Sequence, residues 1–323
     1  MKTDPLHSLI FNGLYNSLAL RKLPIAKQIW LGLWRYSSAK NHLLVSTHLF
    51  GQDVIINNGN NFKNTAYTYP RLNAPILACI DAAFAAHGPV RYIDIGVAIG
   101  DTPLMVFAHG ESKIEKIICI DGDAAFFDIL SHNLRHYAGK VALVCQLLSA
   151  QEEEIAELVW DRNATANASG EGKVQARPLD SVLLPFAGQP VHVIKIDVDG
   201  FDGQVMAGAR HTLATHSPLV IFEWNSTLFA RTRNDIIQPF QFLAANGYTR
   251  LVWFDNFGHF SHFSLSSQDV ANNAQSLHAL AQFCDENYAR TGYHFDIIAL
   301  PDSGPYTPNH LAKLAAEVPM PKV

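Results

Sequence analysis

The sequence predicts an α/β protein whose core is a mainly parallel sheet with antiparallel strands at its C-terminal end. Short apolar strands alternate with helical segments from residue 90 to about residue 247, which is the order of repeated βα units. The segment 116–121 is an almost continuous apolar run, as expected for a parallel strand covered on both faces. A hairpin pattern and a last strand follow over 249–300 and supply the antiparallel members.

Residues 1–75 are predicted to form an N-terminal cap ahead of a single domain over 76–323. Apolar residues recur at helical spacing over 6–36, which predicts helices. A strand pair over 43–56 turns at Gly51, so a β-hairpin is expected to complete the cap.

The helical part of this cap places aromatic residues next to basic ones. Trp30, Trp34 and Tyr36 stand near Lys27 and Arg35, a mixture that fits a helix lying on a membrane surface. The same spacing fits a helix packed on the main domain, and we favour this second interpretation because it is the ordinary use of an amphipathic helix.

The remaining elements follow from periodicity and from glycine, proline and asparagine breaks. Helices are predicted over 73–87, 101–113, 123–138, 201–215, 235–246 and 268–288. Strands are predicted over 90–95, 116–121, 141–148, 155–160, 191–198, 219–224, 249–254, 259–265 and 294–300. Residues 161–173 are rich in Ala, Asn, Gly and Ser, and they predict a loop over the sheet edge.

Composition excludes several classes of protein. The chain of 323 residues carries a formal net charge of −5 and has no run of Lys or Arg, which argues against a nucleic-acid partner. Its four cysteines are widely spread, which is typical of reduced thiols in a cytoplasmic protein. No apolar run approaches the roughly 18 residues of a membrane span, and the N-terminal pattern is not that of a signal peptide. We therefore expect a cytoplasmic protein without an integral membrane segment.

The predicted strand 90–95 ends in a bend framed by Gly96 and Gly100. Glycine permits a positive φ and lets a ligand approach the backbone closely. Asp101 or Thr102 is expected to cap the helix that follows. A strand, a glycine bend and a helix N-terminus in this order form the nucleotide-binding corner of doubly wound sheets.

The residues around this bend indicate which nucleotide it would hold. One glycine of the dinucleotide pattern G-x-G-x-x-G is replaced by Ala98. Asp94 stands two residues before Gly96, where a carboxylate would repel a pyrophosphate but suits the ammonium of a methionine moiety. This charge argument favours S-adenosylmethionine over NAD.

Acidic residues stand at the carboxyl ends of several predicted strands, which is the edge where such sheets bind ligands. They are Asp94, Asp121, Asp123, Asp197, Asp199, Asp202 and Glu223, with Asn225 beside the last. Asp121 lies 21 residues after Gly100, close to the spacing at which an acid binds a ribose diol. A helix-capping role suits Asp123 better than Asp121, so ribose binding is favoured for Asp121.

The strand predicted over 191–198 carries Lys195 within an apolar run. A buried ammonium without a partner would lose its proton, so Lys195 is expected to meet a carboxylate of a neighbouring strand. Two roles are compatible with this position of Lys195: an ion pair that holds strands together, and a role in catalysis.

Several motifs occur in the order found in the FkbM-type S-adenosylmethionine-dependent methyltransferases, and the chain resembles that family over residues 90–300. They are Asp94-Ile-Gly-Val-Ala-Ile-Gly-Asp-Thr102, Asp121 with Leu130 and Asn133, Leu179-Asp180, the segment from Lys195 to Asp202 with Gly208-Ala209, Glu223, and the closing strand from Phe295. The resemblance implies a Rossmann-like class I methyltransferase sheet. The chain has Asp121-Gly122 where the family usually has Glu-Pro, and aspartate at 199 and 202 where it favours glutamate.

The resemblance also implies methyl transfer from S-adenosylmethionine to a hydroxyl of a sugar or another small metabolite. The candidate catalytic residues are Asp197 as the base, Asp199 or Asp202 in its place, Lys195 as a residue that tunes them, and Glu223. The candidate cofactor-binding residues are Asp94, Gly96, Ala98, Gly100, Asp101, Thr102, Asp121, Asp197 and, for the adenine, Ser149.

Three alternatives stay open at this point. Asp197, Asp199 and Glu223 offer oxygen ligands that suit Mg²⁺ or Ca²⁺. An NAD-dependent sugar-modifying oxidoreductase and a non-catalytic nucleotide-binding module would use the same fold. The sequence leaves the acceptor and the oligomeric state undetermined.

Overall fold

The structure is a computed structural model that describes residues 1–160, 166–264 and 266–323. Its α-helices are α1 Pro5–Asn16, α2 Pro24–Ser38, α3 Phe62–Thr68, α4 Ala74–His87, α5 Asp101–Gly110, α6 Ala124–Asn133, α7 Leu179–Val182, α8 Asp202–Ala207, α9 Arg210–His216, α10 Ser226–Thr232, α11 Gln238–Ala245, α12 Ser267–Asn272, α13 Ala274–Thr291 and α14 Pro308–Glu317.

Thirteen strands occur among the described residues. They are β1 Leu44–Leu49, β2 Gln52–Asn57, β3 Val90–Ile95, β4 Ile114–Asp121, β5 Val141–Cys145, β6 Leu147–Leu148, β7 Glu153–Trp160, β8 Ala166–Arg177, β9 Val193–Ile196, β10 Leu219–Trp224, β11 Arg250–Asp255, β12 Phe260–Ser264 and β13 Phe295–Leu300.

The central sheet has eight strands in the order β12-β11-β13-β10-β9-β3-β4-β5. The pairs from β5 across to β10 are parallel, whereas β13 pairs antiparallel with both β10 and β11. The chain leaves β3 toward β4 on one side and later returns to β9 on the other. The carboxyl ends of β3 and β9 therefore flank the switch point where doubly wound sheets bind ligands. The predicted mainly parallel sheet with antiparallel C-terminal strands is confirmed.

Helices cover both faces of this sheet. Every residue of β10 is buried, because a parallel strand in the middle of a sheet packs against helices on two sides. Alternate residues of β3 enter opposite cores: Tyr92 belongs to the core beneath α4 and α5, whereas Ile93 belongs to the core beneath α8 and α11.

The N-terminal cap consists of helices α1 to α3 and the β1–β2 hairpin. Trp30 of α2 is buried, and its Nε1 donates a hydrogen bond of 2.8 Å to the carbonyl of Leu14 at the end of α1. One side of α2 therefore packs on α1 within the cap, whereas the favoured interpretation placed this packing on the main domain. The division of the chain at residue 75 stays a prediction.

Asn133 of α6 connects the cap to the sheet domain. Its Oδ1 accepts a 2.8 Å hydrogen bond from the amide of Ile55 in β2. Its Nδ2 donates 2.9 Å hydrogen bonds to the carbonyls of Ile55 and of Ile99, which lies in the glycine bend. One buried amide thus satisfies three backbone groups of two segments that are distant in sequence.

The loop predicted over 161–173 is wrong for the part that the structure describes. Residues 166–177 form β8, which pairs antiparallel with β7 and parallel with β6 in a separate three-stranded sheet. Residues 161–165 lie outside the described part. The loop was predicted because Ala, Asn, Gly and Ser have low strand propensity. In the structure, cross-strand pairing with β7 outweighs this low propensity.

Other differences concern element ends. The helix predicted over 201–215 is divided into α8 and α9, and the helix over 268–288 into α12 and α13. The strand predicted over 141–148 ends at Cys145, and Leu147–Leu148 pairs with β8 instead. Helices α10 and α14 were not predicted, because both are short and follow strand or turn signals directly.

We expect Asn133→Ala to lower the free energy of unfolding by about 2–4 kcal/mol, because it removes three hydrogen bonds and leaves buried backbone groups unpaired. Urea unfolding monitored by circular dichroism measures the change. Asn272→Ala, which alters an exposed asparagine of α12, is the matched control and should cost less than about 0.5 kcal/mol. Equal stabilities of the two variants would contradict the linking role of Asn133.

Candidate active site

A cavity of about 360 Å³ opens at the carboxyl ends of β3, β4 and β9. Its walls are the glycine bend, the residues after β4, the segment after β5 and the segment after β9. They include Gly96, Val97, Ala98, Asp101, Thr102, Asp121, Phe126, Gln146, Leu147, Leu148, Lys195, Asp197 and Asp199. Its position is the ligand site expected for this sheet topology.

The glycine bend is packed directly against the segment after β9. Gly96 has a φ of 77°, and a Cβ at this position would lie 1.8 Å from the carbonyl oxygen of Asp197. No side chain fits there, so glycine is required both by conformation and by space. Ala98 also adopts a positive φ, 46°, which holds its amide toward the end of β4.

Helix α5 begins at this bend without a side-chain cap. Gly100, with a φ of 87°, is the N-cap, so the capping role expected for Asp101 or Thr102 is wrong. Asp101 and Thr102 are the first two residues of α5, and both line the cavity. Burial raises the pKa of Asp101 to about 6, against the opposing effect of the nearby Lys195 ammonium.

Asp121, at the end of β4, lies in the cavity wall. Its Oδ2 accepts a 2.7 Å hydrogen bond from the amide of Ala98, and its Oδ1 accepts one of 2.9 Å from the amide of Asp123. Burial raises the pKa of Asp121, and these two hydrogen bonds oppose that shift. Asp123 caps α6 through a 2.8 Å hydrogen bond from the amide of Ala125, which confirms the capping role predicted for it.

Asp94 lies beneath the cavity and not in its wall. Its side chain is fully buried and pairs with Lys195, the Nζ of which is 3.4 Å from Oδ1 of Asp94. The two residues are opposite each other on the parallel strands β3 and β9, which points their side chains the same way. Burial raises the pKa of Asp94 to about 6, and the Lys195 ammonium opposes this shift. The direct contact with a cofactor ammonium that the sequence suggested is not offered by this geometry.

Lys195 bridges two carboxylates. Its Nζ also lies 3.1 Å from Oδ2 of Asp197 and donates a long hydrogen bond of 3.5 Å to the carbonyl of Gly96. Burial lowers the pKa of Lys195, but Asp197 and Asp94 outweigh it and the net pKa lies above the ordinary value. The carboxylate partner predicted for Lys195 is confirmed. We call Asp94, Lys195 and Asp197 the buried triad.

Asp197 is the member of the buried triad that reaches the cavity, since 46% of its side chain is exposed. Asp199, with a φ of 52°, also lines the cavity. Asp202 does not, because it is fully buried and its Oδ2 accepts a 3.2 Å hydrogen bond from the amide of Gly200.

Ser149 lies outside the cavity wall as well. It is buried, and its hydroxyl donates to the carboxylate of Glu153. The chain turns away from β4 after Cys145, so Gln146, Leu147 and Leu148 reach the wall where Ser149 was expected.

A second, smaller cavity of about 30 Å³ adjoins the first. It is lined by Glu223 and Asp296 and shares Asn73, Lys195 and Asp197 with the larger cavity. Oε1 of Glu223 lies 3.0 Å from Nε2 of His294. Among the described residues, Oε2 of Glu223 is buried without a hydrogen-bond partner.

Sequence reasoning missed His294 and Asp296. Burial lowers the pKa of His294, but Glu223 outweighs this and the pKa reaches about 9. Burial raises the pKa of Asp296 to about 7, although His294 opposes it. Asp296 stands in the apolar run 295–300, so the argument applied to Lys195 would have found it.

Neither a metal site nor a membrane-spanning helix is found in the part of the chain that the structure describes. Over residues 1–160, 166–264 and 266–323, no group of three or more His, Cys, Asp or Glu side chains is placed to hold a metal ion. The alternative of Asp197, Asp199 and Glu223 as metal ligands therefore finds no support in the geometry. The same described residues contain no helix with the length and apolar character needed to cross a bilayer.

Residues 94–250 match the model of the methyltransferase FkbM domain. The sheet order, the glycine bend and the matched segment define an S-adenosylmethionine-dependent methyltransferase domain with a Rossmann-like fold. Over these residues the chain matches the FkbM methyltransferase domain, as the motif order predicted. The match favours a methyltransferase over the NAD-dependent oxidoreductase alternative, because the matched domain is a methyltransferase domain.

Several solved structures are similar to this chain. A methyltransferase FkbM from Methylobacillus flagellatus KT matches with 12% identity and a TM-score of 0.42, over 74% of this chain and 58% of that one. An O-methyltransferase from Bacillus cereus, solved with SAH, matches with 13% identity and a TM-score of 0.39, over 74% of this chain and 86% of that one. The chain thus spans 58% of the length of the Methylobacillus flagellatus protein. No curated protein sequence matches.

The pair of His294 and Glu223 predicts a pH dependence of stability. The pKa of His294 rises from 6.5 to about 9 in the folded protein, so its contribution is complete below pH 6.5 and is lost as the pH rises through about 9. We expect the wild type to lose on the order of 2 kcal/mol of unfolding free energy across this interval. Urea unfolding at both ends of the interval measures it.

In the His294→Gln variant the unfolding free energy should change less between pH 6.5 and about 9 than it does in the wild type, whatever the absolute stability of the variant. His310→Gln, at an exposed histidine of α14, is the control and should keep the wild-type slope. A wild-type slope in His294→Gln would show that other groups produce the dependence.

Proposed function

We propose that the protein binds S-adenosylmethionine in the larger cavity and transfers its methyl group to a hydroxyl of a sugar or another small metabolite. The observation that carries this proposal is the meeting of three features at one cavity: the glycine bend, Asp121 and the half-exposed Asp197. They lie within the segment that matches the FkbM methyltransferase domain.

The wall residues divide by chemistry into three parts. Asp121 offers carboxylate oxygens with lone pairs beyond those used by Ala98 and Asp123, which suits a ribose diol. Phe126, Leu147 and Leu148 supply apolar surface for the adenine. Gly96, Ala98, Asp101 and Thr102 surround the part of the cavity at the start of α5, and we assign them to the methionine moiety.

The remaining candidate cofactor-binding residues, Gly100 and Asp94, lie outside the cavity wall. Gly100 ends the bend with a φ of 87°, which strains any residue that has a Cβ, and a Cβ there would lie 2.9 Å from Cδ1 of Leu130, which would have to move. Asp94 holds Lys195, and Lys195 holds Asp197. Asp94 is therefore proposed as a positioning residue for the cofactor site.

When bound, the cofactor supplies a methyl group on a positively charged sulfur, which is a strong electrophile. The protein must align an acceptor oxygen with that methyl group and remove its proton. The oxygen forms the new C–O bond, the C–S bond breaks, and the proton passes to a base. We assign Asp197 as that base because it is open to the cavity and held by Lys195, and Asp199 stands next in the same wall.

The smaller cavity is proposed to receive the acceptor group. It adjoins the larger cavity at Asn73, Lys195 and Asp197, so an acceptor there would lie beside the proposed base. Oε2 of Glu223 is a buried acceptor that a hydroxyl of the substrate can satisfy. Asp202 is left out of the mechanism because it is fully buried outside both cavities.

We further propose a cytoplasmic enzyme with a small-molecule acceptor and no nucleic-acid partner. Support comes from the formal net charge of −5 and from the four cysteines, all of which are free thiols in the structure.

Asp121→Asn should weaken S-adenosylmethionine binding by roughly 10–100-fold, because an uncharged amide loses the charge-assisted hydrogen bonds to the ribose. Isothermal titration calorimetry with S-adenosylmethionine and, separately, with NAD measures it. Asp128→Asn, the same change on the exposed face of α6, is the control and should bind as the wild type does. Tight binding of NAD together with no response to S-adenosylmethionine would refute the proposed cofactor site.

Asp197→Asn should retain cofactor affinity and reduce methyl transfer by roughly 10²–10⁴-fold, since the amide cannot accept the hydroxyl proton. Transfer of a tritium-labelled methyl group to a panel of sugars and hydroxylated metabolites provides the assay. Asp128→Asn is again the reference variant. Unchanged turnover in Asp197→Asn would remove this residue from the mechanism.

A further inference from the structure

Helix α2 presents an apolar stripe to solvent. Ile25, Ile29, Leu33 and Tyr36 are 79%, 62%, 46% and 53% exposed. Their spacing of four, four and three residues places them on one face of the helix. Trp30 lies about 100° around the helix from Ile29 and is buried, so α2 packs on α1 through this adjacent side while the four residues of the stripe stay exposed.

The stripe continues onto neighbouring surface. The ring of His7 on α1 stacks on Tyr36 with a centroid distance of 6.4 Å, which brings the start of α1 beside the end of the stripe. Leu6 and Leu9 of α1 are 61% and 72% exposed. Exposed apolar side chains are thus concentrated on two adjacent helices, and contiguous surfaces of this kind mark interaction sites.

A lysine stands at each end of the stripe. Lys22 ends the 3₁₀ turn that precedes α2, and Lys40 follows the C-cap of α2, so a basic side chain flanks the stripe at each end. The Nζ of Lys40 lies 5.1 Å from the centre of the Tyr36 ring. We call the four apolar residues with these two lysines the outer face of α2.

The charge of the surrounding segment identifies what this face would bind. Residues 1–42 contain six Lys or Arg and a single acidic residue, Asp4, in a chain whose formal net charge is −5. The partner is therefore expected to be both apolar and negatively charged. A second copy of the chain fits less well, because a two-fold contact would bring the same lysines of both copies together.

We propose that the outer face of α2 docks on the surface of a bilayer that contains anionic phospholipids. The apolar side chains enter the boundary between headgroups and acyl chains, and Lys22 and Lys40 meet lipid phosphates. The membrane-surface alternative in the sequence rested on Trp30, Trp34 and Tyr36 beside Lys27 and Arg35. Trp30 is buried against α1, and the exposed stripe takes this role instead. The attachment is peripheral and independent of the methyl-transfer chemistry.

Flotation of the full chain with phospholipid vesicles tests this proposal. One set of vesicles is phosphatidylcholine alone, and the other is an equimolar mixture of phosphatidylcholine and phosphatidylglycerol. The wild type should float with the mixed vesicles, and raised salt should weaken the association. The double variant Ile29→Glu, Leu33→Glu should reduce the bound fraction by about tenfold or more, and Lys22→Glu, Lys40→Glu should do likewise.

Leu184→Glu is the matched control, since it places the same charge at a leucine that is 70% exposed elsewhere. It should float as the wild type does, and circular dichroism should show that all variants are folded. Absence of wild-type binding to the mixed vesicles would overturn the proposal. So would equal binding by the Ile29→Glu, Leu33→Glu variant, or a wild-type dimer in light scattering that this variant dissociates.

Discussion

The site depends on one ammonium group held between two carboxylates in the middle of the sheet. Lys195 lies within hydrogen-bonding or ion-pair range of Asp94, Asp197 and the carbonyl of Gly96, so one side chain joins β3, β9 and the glycine bend. Removing a charge from water is costly unless its partners are well placed, and removal of Lys195 would leave the buried carboxylate of Asp94 without its ion-pair partner. This requirement orients Asp197 toward the cavity and keeps Asp94 away from it.

The fold and the centre of the site were accessible from the sequence because they follow from strand periodicity. Alternation along β9 placed Lys195 on the same side as a carboxylate of β3, and register in the sheet confirmed Asp94 as its partner. Periodicity ends where the strand ends. After Ile196 the backbone passes through positive φ at Asp199 and Gly200, so the sequence alone could not show that Asp199 lines the cavity while Asp202 is buried.

Other parts of the site depend on pairings between distant segments. Ser149 was expected in the adenine region because β5 was read as continuing to residue 148, whereas the chain leaves the central sheet and joins β8. The partnership of Glu223 with His294 arises because β13 inserts next to β10, an order that no local pattern specifies. The composition of β8 likewise did not predict a strand, because β8 is stabilised by pairing with β6 and β7.

Asn133 has a consequence that extends from the cap to the ligand site. Its single amide group bonds both Ile55 of the cap hairpin and Ile99 of the glycine bend, so the two segments share one set of hydrogen bonds. Any ligand that orders the bend must, by thermodynamic reciprocity, also protect the hairpin from opening. Amide hydrogen exchange at Ile55 would thereby report cofactor occupancy, although this residue lies in the N-terminal cap and outside the matched methyltransferase segment.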